Sequence, residues 1–101
     1  MDTPLKNLAM PTLPTNVTSY KRTPNFTQAT VPRGLLKDHS TKAGTWGVLT
    51  VLSGALYYHI TLTQSSQSYA LAVDVAGIIV PEQKHYIELT GEAEFYLEFY
   101  R

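Results

Sequence analysis

Hydrophobic and polar residues alternate through the second half of the chain with the two-residue period of a β-strand. The alternation is strict over residues 69–75 and again over residues 95–99. Further short strands are expected at residues 77–80 and 85–90, and no segment of ten or more residues has the 3.6-residue period of a helix. This spacing predicts an all-β fold, a single antiparallel sandwich or small barrel with almost no helix.

The middle of the chain predicts a hairpin. Residues 45–52 are apolar on both faces, which is typical of a central strand, and residues 55–62 alternate. Ser53-Gly54 between them is a turn signal, so the two segments are expected to pair across it. Residues 35–39 are expected to form the first strand of this region.

The N-terminal part has a different composition. Five of the six prolines lie in the first 32 residues, which excludes a long helix there. We interpret residues 1–19 as an extended arm and residues 20–101 as the barrel domain. The arm is apolar enough to pack along a sheet edge, and we expect it to join two copies of the chain as a homodimer. An arm that packs on its own barrel and leaves a monomer is the alternative.

Composition excludes several classes of protein. With 101 residues the chain forms one domain, and without cysteine it can have neither disulfides nor thiol chemistry. Eight basic residues balance eight acidic ones without a basic cluster, so no nucleic-acid partner is expected. No apolar run reaches the ~20 residues of a membrane span, and the N-terminus lacks the apolar core of a signal peptide. We therefore expect no membrane contact and a cytoplasmic location.

The strongest candidate for chemistry is a histidine that opens a strand. Pro81 ends one apolar run, and after a turn His85 begins the next, in which Ile87 and Leu89 share its face. If that face is the core, the imidazole needs a partner there. A metal ion is one such partner, and a hydrogen bond in an ordinary core is the other.

A second histidine occupies a comparable place. His39 lies at a strand–loop junction, as His85 does, so the two could converge on one cavity and share a metal. Glu82, three residues before His85 across the turn, is the first choice for an added carboxylate. His59 falls on the opposite face of its strand and is expected to be exposed and inert. No nucleophile elbow or nucleotide-binding loop is present, so no catalytic residue and no nucleotide cofactor are assigned.

Several segments together resemble one known family. These are residues 32–36, 39–47, 49–54, 81–85 with Glu88, and 95–100. They are similar to the small cupin-like domain associated with tellurite-resistance protein B, over about residues 20–101. The paired His-x-His of the general cupin pattern is absent, and Lys84 precedes His85 where relatives have an aromatic residue.

The resemblance implies a fold and a site. The fold is a double-stranded β-helix, the cupin-like jelly roll, and His39 and His85 would hold a divalent first-row metal such as zinc, iron or nickel. Glu88 matches the family pattern, although alternation places it opposite His85, and it is the second choice after Glu82. Lys42 would supply charge to the pocket. Trp46 and Tyr58 would form its wall, or else be ordinary core aromatics.

The resemblance also implies a function. One interpretation is a metal-binding module, linked to tellurite or oxidative stress, that binds or senses a small oxyanion. A binding or assembly module with a packed cavity and no metal is the other. Some relatives join this domain to a methyltransferase domain, and methyl transfer is not expected from this chain.

Overall fold

Two antiparallel β-sheets that share one long strand make up the computed structural model, which describes residues 10–101. The predicted all-β antiparallel fold is confirmed. The one helix in the described range is a short 3-10 turn, Arg33–Leu36. The strands are β1 Ser19–Arg22, β2 Phe26–Thr27, β3 Trp46–Thr61, β4 Ser66–Ala72, β5 Gly77–Ile79, β6 His85–Glu88 and β7 Ala93–Tyr100.

Strand β3 is central to both sheets. Its first half pairs with β5 on one side and β7 on the other, and β7 also pairs with β1 and β2. Its second half pairs with β4 and β6. Because a strand of 16 residues crosses from one sheet into the other, the two sheets face each other with the apolar residues of β3 between them.

The predicted hairpin at Ser53-Gly54 is wrong, because both residues lie inside the continuous strand β3. The pairing of β3 with β7 shifts register between Val51 and Ser53 and then continues to Gly54, opposite Ala93. Gly54 adopts a φ of 72°, a left-handed conformation that favours glycine. A bulge therefore bends the strand here, and the turn signal marks the bend.

Two other strand predictions need correction. Residues 35–39 are not a strand, because the 3-10 helix occupies their first part and only His39 makes a β-bridge. Val73 and Val75 do not continue β4, since Ala72 and Val75 exchange backbone hydrogen bonds of 2.9 and 3.2 Å in a tight turn. Both valines are exposed as a result.

The core lies between the sheets and follows the predicted alternation. Phe95 and Leu97 of β7 are buried, whereas Glu94 and Tyr96, which alternate with them, are half-buried on the other face. The same period buries His85 and Ile87 of β6. The remaining core residues are Leu49, Val51, Leu56, Tyr58, Ile60, Tyr69, Leu71 and Ile79.

The start of the described chain packs on its own domain. Thr18 and Arg101 exchange backbone hydrogen bonds of 3.0 and 3.1 Å, and β1 then pairs with β7 from Ser19, so the boundary expected after residue 19 falls within this strand. Met10 packs against the core. Residues 1–9, which carry half of the predicted arm, lie outside the described residues. In the part of the chain from residue 10 onward, no helix is long and apolar enough to cross a membrane.

Candidate functional site

His39 and His85 lie side by side, as the sequence predicts. They form an antiparallel β-bridge in which the His39 N–H donates to the His85 carbonyl at 3.0 Å and the His85 N–H to the His39 carbonyl at 2.9 Å. Their ring centroids are 4.2 Å apart. Main-chain hydrogen bonds therefore bring the two imidazoles together, and we call them the His pair.

Each imidazole of the His pair is oriented by a backbone carbonyl two residues earlier. The Nδ1 of His39 lies 2.8 Å from the Lys37 carbonyl oxygen, and the Nδ1 of His85 lies 2.9 Å from that of Gln83. A carbonyl oxygen only accepts, so Nδ1 carries the proton and Nε2 of the neutral ring keeps its lone pair. Metal-binding histidines are commonly fixed in this way by a hydrogen bond at the other nitrogen.

The environment of His85 favours its neutral form. Only 2% of the residue is exposed. Burial lowers the pKa of the His85 imidazole, and the nearby His39 lowers it further, while the Gln83 carbonyl and Asp38 oppose these effects. A neutral imidazole coordinates metals but contributes no positive charge to an anion.

A small cavity of about 10 Å³ adjoins the pair and has otherwise aliphatic walls. That volume is close to the ~10–15 Å³ that a single water needs. The ring of Tyr58 meets that of His85 edge-on, with centroids 5.7 Å apart, and its hydroxyl donates to the Ile78 carbonyl at 3.1 Å. The aliphatic walls are Leu35, Leu49, Ile79, Ile87 and Leu97.

A larger groove of about 310 Å³ lies outside this cavity, and we call it the outer groove. Leu35, His39 and Leu97 line both spaces, so His39 stands where the groove meets the cavity, while His85 lines the cavity. Sequence reasoning missed the groove, since its walls come from segments far apart in the chain that are brought together by the packing of the sheets. The other lining residues are Thr23, Phe26, Pro32, Gly34 and Phe99.

Glu82 is not brought to the His pair. It is exposed at the turn before β6, with a φ of 64° and its N–H donating to the Thr41 carbonyl at 3.0 Å. Within residues 10–101, no group of three or more histidine or acidic side chains is placed to hold a metal ion. The protein ligands that the described chain can offer at this point are thus the two imidazoles.

Lys42 and Trp46 also lie away from the pair. Lys42 is exposed and lines a separate surface depression together with Lys21 and Arg101. Trp46 is half-buried at the start of β3 and lines neither the cavity nor the outer groove. Of the three predicted pocket residues, Tyr58 alone contacts the His pair.

Glu88, the second choice for a metal ligand, is engaged on the outer face of the second sheet and does not line the cavity beside the His pair. Its carboxylate lies 2.8 Å from Nε2 of His59, and Nδ1 of His59 lies 2.7 Å from the Ser68 hydroxyl. The His59 ring stacks on Tyr86 with centroids 4.7 Å apart. His59, expected to be exposed and inert, is a partly buried member of this network, because Glu88 and His59 lie on adjacent strands with side chains on the same face.

Comparison with known proteins gives one family. Residues 21–97 match the family model described as the TehB-like domain. Two proteins from Haemophilus influenzae strains, each named a probable S-adenosyl-L-methionine-dependent methyltransferase TehB, are 34% identical over 86 residues and 33% identical over 85. Each alignment covers 80% of this chain but 30% of the relative, so the chain spans about a third of their length.

Two solved structures have a similar fold. The crystal structure of TehB from Haemophilus influenzae matches with a TM-score of 0.77 and 28% identity, over 85% of this chain and 32% of that one. A protein from Escherichia coli strain K12 matches with a TM-score of 0.82 and 25% identity. That match covers 91% of this chain and 97% of the other, so a domain of this size also occurs as a whole solved chain.

Proposed function

Since this chain belongs to the TehB-like domain family, we propose that it is a metal-dependent binding module for a small anion, with the His pair as its site. The observation that carries the proposal is the matched orientation of the two imidazoles. Both donate Nδ1–H to a carbonyl, at 2.8 and 2.9 Å, and both line one cavity. We also propose the double-stranded β-helix of the cupins as its fold type and the cytoplasm as its location.

The residues present fit a metal held by two protein ligands. Nε2 of each imidazole is the free coordinating atom, and neutral imidazole suits zinc, iron and nickel. Burial keeps His85 neutral, so a metal need not displace a proton from it near pH 7. With two protein ligands, further positions stay open to water or an anion. The metal would supply the positive charge that the neutral His85 imidazole does not provide.

The anion would be bound through the metal, because Lys42 lies at a different surface. Tellurite or another small oxyanion is the candidate that the family resemblance gives. Methyl transfer is a property named for relatives of which this chain matches 30%, and we do not assign it here.

A second candidate function is a binding or assembly module whose cavity is packed and holds no metal. The size of the inner cavity, about 10 Å³, favours it, since that space is nearly filled by protein. In this case the His pair would be a hydrogen-bonded part of the core.

Metal content distinguishes the two candidates. We expect about one equivalent of a first-row metal in elemental analysis of the full chain purified without a histidine tag. His39→Gln and His85→Gln should each lose most of it, whereas His59→Gln, the matched control on the outer face, should retain it. Metal content that is negligible, or equal in all four proteins, would exclude the metal site and leave the packed module.

The anion is tested separately. Titration of the metal-loaded protein with tellurite should give saturable binding that is lost in His39→Gln. Circular dichroism of each variant checks that the fold is retained. Binding of tellurite that survives the loss of both metal and His39 would show that the anion is held elsewhere.

A further inference from the structure

The surface of the outer groove is apolar, although two of its lining residues, Thr23 and His39, have polar side chains. Thr23 is the one hydroxyl residue in its wall, and that hydroxyl is already used, accepting from the Leu97 N–H at 3.0 Å and donating to the Pro24 carbonyl at 2.9 Å. It therefore offers its methyl group to a ligand. His39, at the inner end, is the other lining residue that has a polar side chain.

The groove also lacks fixed charge. None of its eight lining residues is acidic, lysine or arginine, while Lys21, Lys42 and Arg101 lie around a neighbouring depression that shares Phe99 with the groove. A small, strongly hydrated inorganic anion would give up its water there for apolar walls, which is unfavourable. A hydrocarbon group, by contrast, is stabilised by leaving water for such a surface.

The volumes of the inner cavity and the outer groove determine where each part of a ligand can lie. The inner cavity of about 10 Å³ has no room for a ring or chain, so the body of any organic ligand must lie outside the His pair. The outer groove of about 310 Å³ is at the lower end of the ~300–1,000 Å³ of small-molecule pockets. One ring or a short branched chain is therefore the expected body.

From this arrangement we propose that the site binds a small organic carboxylate, with its hydrocarbon body in the outer groove and its carboxylate at the His pair. The inference rests on the proposed function for the site, and it names the class of anion. Phe26, Leu35 and Phe99 would contact the body, and His39 would adjoin the head group. The hydrocarbon body of an organic anion would be stabilised by contact with the apolar walls of the groove, whereas tellurite has no hydrocarbon to bury there.

Gly34 gives a way to fill the groove without disturbing the pair. A Cβ at Gly34 would have no atom within 4 Å, and its φ lies outside the left-handed region, so Gly34→Phe should be compatible with the backbone. Gly91 has the same free space and does not line the groove. Gly91→Phe is therefore the matched control.

The test measures binding of benzoate, acetate and tellurite to the full metal-loaded chain by titration calorimetry. Benzoate should bind at least about tenfold more tightly than acetate, since its ring is buried. Gly34→Phe should weaken the binding of benzoate by a similar factor but leave acetate binding and metal content unchanged. The control variant Gly91→Phe should bind benzoate as tightly as the natural chain does. NMR shifts caused by benzoate should include Leu35 and Phe99.

The outcomes separate this inference from the proposed function. If metal is retained and tellurite binds, but benzoate binds no better than acetate, the groove proposal is wrong and the metal site stands. If benzoate binding is unaffected by Gly34→Phe, the outer groove is likewise excluded as the binding site of the ring. If the chain holds no metal but benzoate binds and Gly34→Phe weakens it, the groove is supported and the metal assignment fails.

Discussion

His39 and His85 exchange both of their backbone hydrogen bonds, although 45 positions in the sequence separate them and His39 belongs to no strand. The bridge pairs His39 with the first residue of β6 and brings the two rings to 4.2 Å. Because main-chain groups make these bonds, replacing either side chain leaves the position of the other largely fixed. The His pair can therefore be dissected by single substitutions.

The two histidines should differ in their contribution to stability. His85→Ala removes a fully buried ring and its hydrogen bond to the Gln83 carbonyl, and we expect a loss of about 2–4 kcal/mol in the free energy of unfolding. His39→Ala removes a half-buried ring, and about 1 kcal/mol is expected. Urea denaturation of the metal-free proteins measures both. Equal losses would contradict the different burial of the two rings.

Acid should destabilise the metal-free protein through His85. Its pKa in the folded state lies below the ordinary 6.5, because burial disfavours the charged ring. Between the lowered pKa and 6.5 the unfolded chain binds more protons than the folded one, so the free energy of unfolding falls as the pH drops through this window. Urea denaturation from about pH 7.5 to about pH 5 should show the fall, and His85→Gln should reduce its slope. An NMR titration placing the His85 pKa at or above 6.5 would refute this explanation.

The bend in β3 should depend on Gly54. A Cβ there would clash with the Glu92 carbonyl oxygen, and the φ of 72° disfavours any other residue. We expect Gly54→Ala to cost about 3 kcal/mol or more. Gly44→Ala, which has a φ of 81° but free space, should cost about 1 kcal/mol, and Gly91→Ala should be nearly neutral. Thermal unfolding of the three variants gives the order, and a neutral Gly54→Ala would rule out the close approach to β7.

Thr23 should connect the wall of the outer groove to β7. Its hydroxyl accepts the Leu97 N–H, so Thr23→Val keeps the shape but leaves that amide without a partner. A loss of about 1–3 kcal/mol is expected in urea denaturation. Thr23→Ser keeps the hydroxyl and should retain most of the stability. If valine and serine variants are equally stable, the hydrogen bond contributes little.

Self-association remains a prediction from the sequence. Leu5 and Leu8 of the apolar arm are expected to lie in a dimer interface, so Leu5→Asp with Leu8→Asp in the full chain should shift the protein from dimer to monomer. Light scattering measures the mass of both proteins. A monomeric natural chain would exclude the dimer, and a dimeric double variant would move the interface to the barrel.

The period of the apolar residues was sufficient to predict the class of fold and the burial of one histidine. Alternation along β7 and β6 identifies the core-facing residues, including His85, because successive side chains of a strand point to opposite faces. The same rule placed Glu88 opposite His85, where it pairs with His59. These features depend on local geometry, which neighbouring residues in the sequence determine.

Tertiary structure alone decided what Gly54 does and which residues surround the His pair. A glycine with positive φ serves a turn or a bulge equally well, and here the pairing of β3 with β7 on both sides of Gly54 makes it a bulge. Lys42 and Glu82 lie near a histidine in sequence but line neither space beside the pair, while Phe26 and Leu97, which belong to other strands, gather beside it. Contacts between distant segments depend on how the two sheets pack, and no local pattern encodes that.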